Sequence, residues 1–142
     1  MNPRLDDDGV SLRVTRAGTE LLRYVYRPWD AQLESPRPYF HPLRTLTGRL
    51  VSLYRPHDHV WHKGIALSLP NVGDENLWGG PTYRRGLGYR QYDNDGSMRH
   101  RDFTAVTTTG ERVGAAHDLD WIAQDGRELF TEHRRFAVEA DA

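Results

Sequence analysis

The 142-residue sequence predicts a mostly-β protein, an antiparallel β-sandwich, and three observations carry that expectation. Apolar residues show little helical periodicity, while short alternating runs bounded by Gly, Pro, Asn and Asp recur. Two dipeptides, Ala17-Gly18 and Asp125-Gly126, separate such runs, and Asp-Gly accepts the positive φ that a two-residue hairpin turn needs. Ile65-Ala66-Leu67-Ser68-Leu69 forms a continuous apolar run with a small residue at its centre, as expected of a buried strand.

In chain order, residues 1–10 hold three consecutive acids and no apolar run, so they are expected to be a flexible N-terminus. Residues 11–142 are then expected to form a single β domain, a length that supports one modest core. Leu12-Arg13-Val14-Thr15 and Leu21-Leu22-Arg23-Tyr24-Val25-Tyr26 flank the first turn and predict a hairpin. Leu50-Val51-Ser52-Leu53 is a further short run after Gly48, and residues 103–109 are rich in β-branched side chains. Leu119-Asp120-Trp121-Ile122-Ala123 and residues 128–138 predict the last hairpin, across Asp125-Gly126. Residues 28–42, with four prolines, and residues 71–97 carry few strand signals, and long loops in a small β domain tend to be functional. The last strand has no return strand in this sequence, so an unpaired edge is expected, open to homo-oligomer formation.

Composition narrows the function classes. Nineteen basic against 20 acidic side chains give a net charge of -1, and the basic residues are dispersed, so nucleic-acid binding has no support. The absence of cysteine removes disulfides, thiolate metal sites and cysteine nucleophiles, and suits a reducing compartment. No window approaches the ~18–20 apolar residues of a membrane helix. The N-terminus lacks the ~7–15 apolar residues of a secretory signal. A cytoplasmic protein with no membrane association is expected. Gly-rich dinucleotide fingerprints, a P-loop, a GxSxG elbow and HExxH are all absent from the sequence.

Three segments carry the chemistry-bearing residues. The first, residues 55–64, reads RPHDHVWHKG and places His57, Asp58, His59 and His62 within six residues. On an extended chain His57 and His59 share a face; on a helical turn His59 and His62 do. Either arrangement suits an acid/base pair or a divalent metal held by His57, His59 and His62, while the structural alternative is loop-capping histidines bonded to Asp58 or to backbone. A cupin-type metal site is not expected, because Glu75 follows the HxH pair too late.

The second segment, RPYFHP at residues 37–42, is held extended by its prolines, and Arg37, Tyr39 and His41 are candidates to orient a ligand. Its structural alternative is a packed crossover. The third, residues 71–83, contains Asn76, Trp78 and Tyr83 beside two glycines. An aromatic face with amide and hydroxyl neighbours suits the apolar faces and polar edges of a sugar, whereas the alternative has Trp78 plugging the sandwich. His100, after the Gly96 turn, is a weaker ligand-binding candidate, and Glu132 and Arg134 share a strand face on which they can pair.

With these segments together, the chain resembles a family of unknown function labelled methane oxygenase PmoA. The matching features are RPYFHP (residues 37–42), DHVWHKG (58–64), NLWGG (76–80), GSMRH (96–100) and the hairpin from Leu119-Asp120-Trp121 to Glu132-His133-Arg134. The label points to a membrane-integral monooxygenase subunit, which a chain without a membrane helix cannot be. Members of that family are longer, and their later half has no counterpart here. The resemblance therefore implies an N-terminal half, or a short variant, of a larger sandwich similar to galactose mutarotase. By that analogy His59 and His62 are the expected proton-transfer residues, with Asp58 fixing a tautomer. Arg37, Tyr39, His41, Asn76, Trp78, Tyr83 and His100 would contact a sugar-like ligand. A metal-dependent oxygenase or hydrolase and a non-catalytic sugar-binding module are the rival expectations.

Overall fold

A computed structural model describes residues 1–140. Its strands are β1 (Arg4–Asp7), β2 (Ser11–Arg16), β3 (Thr19–Val25), β4 (Tyr39–Leu43), β5 (Leu69–Val72), β6 (Glu75–Leu77), β7 (Thr82–Arg84), β8 (Gly88–Arg90), β9 (Ser97–Thr109), β10 (Arg112–Ile122) and β11 (Glu128–Glu139). The expected mostly-β, antiparallel sandwich is the architecture observed. One sheet has the order β1-β2-β3-β4 and the other β11-β10-β9, while β5-β6 and β7-β8 form two small ribbons.

Both principal hairpins form, but only the first has a two-residue turn. The second closes where the Ala123 amide donates to the Arg127 carbonyl at 2.9 Å, around Gln124-Asp125-Gly126, with positive φ at Gly126 (+90°) and not at Asp125. β2 and β3 pair from Ser11↔Val25 to Arg16↔Thr19, and β10 and β11 pair from Arg112↔Glu139 to Ile122↔Glu128. Along β10 the period-two pleat puts Val113, Ala115, His117, Leu119 and Trp121 on one buried face. That face meets the first sheet in a layer of Leu12, Tyr24, Tyr26 and Ala115, with Leu5, Phe40, Phe103 and Phe136 packed on it. Val14, Leu22 and Val113 continue the layer. Burying side chains of this size contributes roughly 1.5–3 kcal/mol each, which is what holds the two sheets face to face. Leu77, Met98 and Trp121 form a third cluster that anchors the ribbon segment to the end of the β9–β11 sheet.

Several expectations are corrected. The N-terminus is not a flexible decade of residues, because Arg4–Asp7 pairs with Asp7↔Leu12 through Arg4↔Thr15 and Leu5 packs on the core. Its Asp8 caps the following turn by accepting hydrogen bonds from the Val10 and Ser11 amides, so the acidic run is consumed by local structure. Those amide bonds hold the Asp8 carboxyl below its usual range.

The apolar run at 65–69 is not a buried strand. Only Leu69 begins β5, and Ile65, Leu67 and Leu69 are 54%, 47% and 40% exposed. Ile65 makes a bridge to Phe40, and Tyr54 one to Lys63, so this stretch lies beside the first sheet with one side open. Leu50 joins Arg44 by a bridge and is also exposed, so the run at 50–53 is not a strand either. Within the described residues β11 pairs only with β10, leaving the expected sheet edge.

Candidate functional site

Residues 55–64 are neither a strand nor a helix but two successive turns. The His59 amide donates to the Pro56 carbonyl at 3.0 Å, the His62 amide to the His59 carbonyl at 2.9 Å, and the Arg55 amide to the His62 carbonyl at 2.8 Å. These turns push His57, Asp58, His59 and His62 outward, and all four are exposed. His59 Nδ1 lies 3.2 Å from an Asp58 carboxylate oxygen, and its ring rests 5.3 Å from that of Trp61. His57 stays apart from the cavities described below. Among the described residues no three His, Asp or Glu side chains converge in a way that could hold a metal, and the His57/His59/His62 set is not brought together as one.

Trp61 sits at the centre of the region. A groove of about 720 Å³ is lined by Trp61, Trp78, Tyr83 and Tyr89, with His59 at one end and Asn71, Thr82 and Asn76 among its other walls. A contiguous recess of about 300 Å³ shares His59, Trp61 and Trp78 and adds Asp58 and His62. Tyr83 and Tyr89 pack 5.2 Å apart across the β7-β8 ribbon as a directly opposed cross-strand pair. The fold therefore brings His59, His62, Asp58, Trp78 and Tyr83 to one surface.

The local fold explains the groove. Asn76 is buried, and its Oδ1 accepts from the Trp78 and Gly79 amides while its Nδ2 donates to the Gly80 carbonyl and the Thr82 hydroxyl. The predicted ligand-binding amide is thus spent on ordering the NLWGG turn. Gly79 and Gly80 have φ of +101° and +69°, and a Cβ on Gly80 would meet the Trp61 ring at 2.7 Å. Only glycine lets the backbone lie against Trp61 there.

Arg37 lies beneath, 3% exposed, and donates to the carbonyls of Glu34, Ser35 and Trp61. Burial lowers its pKa to about 10, which leaves it cationic at neutral pH. It holds the Trp61 backbone in place, with its terminal nitrogens taken up by carbonyls of the chain. Tyr39 faces elsewhere, into a polar cavity of about 610 Å³ with Arg23, Trp29, Asp30, Glu34, Tyr54 and Arg55. Burial and the neighbouring Tyr54 raise its pKa. His41 bonds the Ser52 hydroxyl at 2.8 Å and stacks on Tyr54; burial, then Arg44, lowers its pKa. These three candidates of the RPYFHP segment are therefore not in the aromatic groove, and neither is His100, which lines a separate cavity.

Sequence reasoning missed a buried ionic knot between these regions. Lys63, 1% exposed, pairs with Asp30 at 2.8 Å and with Glu34, while Arg55 grips Glu34 through two bonds of 2.6 and 3.0 Å. Burial pushes the Glu34 carboxyl up, but Arg55 and Lys63 outweigh it and hold the group below its ordinary value. No local pattern announces a pair 33 residues apart; the only trace was a lysine in an otherwise exposed turn. The buried His117, bonded to His100, was missed for the same reason.

Residues 11–142 match the model of a family of unknown function, DUF6807, and the chain belongs to that family. No curated protein and no solved structure matches. The family carries no assigned activity, so the chemistry rests on the geometry above.

Proposed function

We propose that the aromatic groove binds a carbohydrate, with Trp61, Trp78, Tyr83 and Tyr89 stacking on its apolar faces. The carrying observation is that four aromatic rings line one groove while three of them keep two-fifths or more of their surface in water: Trp78, Tyr83 and Tyr89 are 43%, 55% and 75% exposed. Exposed aromatic faces gathered in one concavity, with the His59 imidazole and the Asn71 amide in its walls, suit a ligand with apolar C–H faces and hydroxyl edges. At the groove's end, His59 beside Asp58 supplies a proton-handling pair, and His62 lies across the adjoining recess. In this reading the chain is the site-bearing part of a carbohydrate-processing enzyme. The motif resemblance to the PmoA-labelled family, and through it to mutarotase-like sandwiches, supports the same substrate class.

A non-catalytic sugar-binding module is the second reading. It is favoured by the openness of the pair, since Asp58 and His59 side chains are both 61% exposed and catalytic proton transfer works best in a drier site. Tryptophan fluorescence and saturation-transfer NMR with a panel of neutral and acidic monosaccharides and disaccharides test both. Saturable binding lost in Trp78→Ala supports the groove as the site, and a panel without any saturable binder overturns the proposal. Anomeric-exchange NMR on any binder then separates the readings: turnover lost in His59→Ala with binding retained makes it an enzyme.

A further inference from the structure

On the far side of the ionic knot, His100 lines a polar cavity of about 350 Å³ with Tyr26, Arg27, Asp30, Gln32 and Ser97. It shares no lining residue with the aromatic groove. Two features single this histidine out. The β9–β10 ladder is irregular on both sides of His117, because Ala116 opposes Ala105, His117 opposes Phe103 and Leu119 opposes His100. Five steps on β9 (from Ala105 to His100) thus match three on β10 (from Ala116 to Leu119), and at this irregularity both His100 and Phe103 lie against His117, with rings 5.1 and 5.3 Å from it. The second feature is a continuous run of polar contacts through the core: Arg134 Nη1 to Tyr24 Oη at 3.1 Å, Tyr24 Oη to His117 Nε2 at 2.9 Å, and His117 Nδ1 to His100 Nδ1 at 2.8 Å.

The direction of this run is fixed by what each group can do. A guanidinium only donates, so the Tyr24 oxygen accepts from Arg134 and its single O–H donates to His117 Nε2. A neutral His117 then carries its proton on Nδ1 and donates to His100 Nδ1. His100 in turn must hold its proton on Nε2, the ring atom with no partner among the described residues. Arg134 is itself held in place by Glu132, which also accepts from the Trp121 indole at 2.7 Å.

We infer that Arg134, Tyr24 and His117 act as positioning residues, a one-way hydrogen-bond chain that fixes His100 as a neutral imidazole donating from Nε2. The cavity it lines is then a site headed by a hydrogen-bond donor, fitted to a carbonyl or hydroxyl oxygen and not to a group that can only donate. Protonating His100 would set its Nδ1–H against the Nδ1–H of His117, so the chain also resists the imidazolium. The charges around the pair are mixed. Arg27 opposes the His100 cation while Asp7 and Asp102 favour it; Arg134 opposes that of His117, and Glu132 and Asp118 favour it. Burial is the largest influence at both rings and lowers both pKa values, that of His117 to about 4.

The test is ¹⁵N-histidine NMR of the full chain at neutral pH, reading each ring nitrogen as protonated or bare. The expected wild-type pattern is bare Nδ1 with protonated Nε2 for His100, and the reverse for His117. In Arg134→Met, the Tyr24 lone pair that accepted from Arg134 is free to accept a His117 Nε2–H, so both rings are expected to populate the opposite tautomer in part. In Tyr24→Phe, His117 Nε2 loses its donor and the same mixing is expected, with an upward shift of the His100 titration. A His100 protonated on Nδ1 in the wild type overturns the inference, as do unchanged tautomers in a folded Arg134→Met. Should Tyr24→Phe fail to fold, Arg134→Met and the wild-type spectrum decide alone.

Discussion

Within ten residues the chain builds two regions of opposite character. Residues 57–62 present polar and aromatic side chains to water, whereas Lys63, the next residue, is sealed between Asp30 and Glu34. Both regions are rich in ionisable groups, and charge content alone does not tell them apart. The difference is where partners lie. Lys63 has two carboxylates waiting from a distant loop, so its charge is satisfied inside the protein; the Asp58–His59 pair faces solvent and keeps capacity for a ligand. The comparison teaches that here burial with ionic pairing marks a fold determinant, and exposed aromatic clustering marks the better place to look for binding.

The sharpest way to break this contrast is Lys63→Met. It leaves Asp30 and part of Glu34 uncompensated in the interior, and removing one partner of a buried pair costs about 3–5 kcal/mol. A large fall in the urea midpoint is expected, and a change within error would return Lys63 to the surface class.

Asp95 sharpens it at smaller scale. It is 1% exposed and its Oδ1 has no partner among the described residues, and burial pushes its pKa up to about 6, with the Gln91 bond only partly offsetting this. A raised carboxyl pKa means the folded state holds its proton more tightly than the unfolded state. Its destabilising contribution is therefore absent below the unfolded value near 4, grows as pH rises, and is complete above about pH 6. Asp95→Asn should stabilise the protein by about 1–2 kcal/mol at pH 8 and by little at pH 4, read from denaturant midpoints at both values. Equal effects at both pH values would contradict this.

The smallest expected stability effects are on the exposed side. Trp78→Ala and His59→Ala should each change stability by within about 0.5 kcal/mol, because both side chains lie at the surface and neither sits in a core cluster. A melting temperature that collapses in either variant would assign that residue to the fold.

The sequence revealed the elements whose determinants are local. Ala17-Gly18 and Asp125-Gly126 announce their hairpins because turn chemistry is local, although the second turn takes in Gln124 as a third residue. Trp78 and Tyr83 were legible because aromatic residues beside glycines in a loop already suggest a wall. What escaped depended on long-range pairing. Arg37 reads as a ligand-binding arginine until its three carbonyl partners, one of them on Trp61, come into view. Asn76 reads as a recognition amide until its own turn uses it up. Ile65 and Leu67 read as core, since hydrophobicity alone does not say whether a second layer covers them.

The two glycines pressed against Trp61 have a consequence for anyone wishing to alter what the groove holds. Positions 79 and 80 combine left-handed backbone with no room for a first side-chain carbon, so they belong to the scaffold and offer no variation. A library aimed at new ligands should leave them fixed and diversify Asn71, Trp78, Tyr83 and Tyr89, whose side chains reach solvent. The floor of the groove is then a constant of the fold, and its walls are the adjustable part.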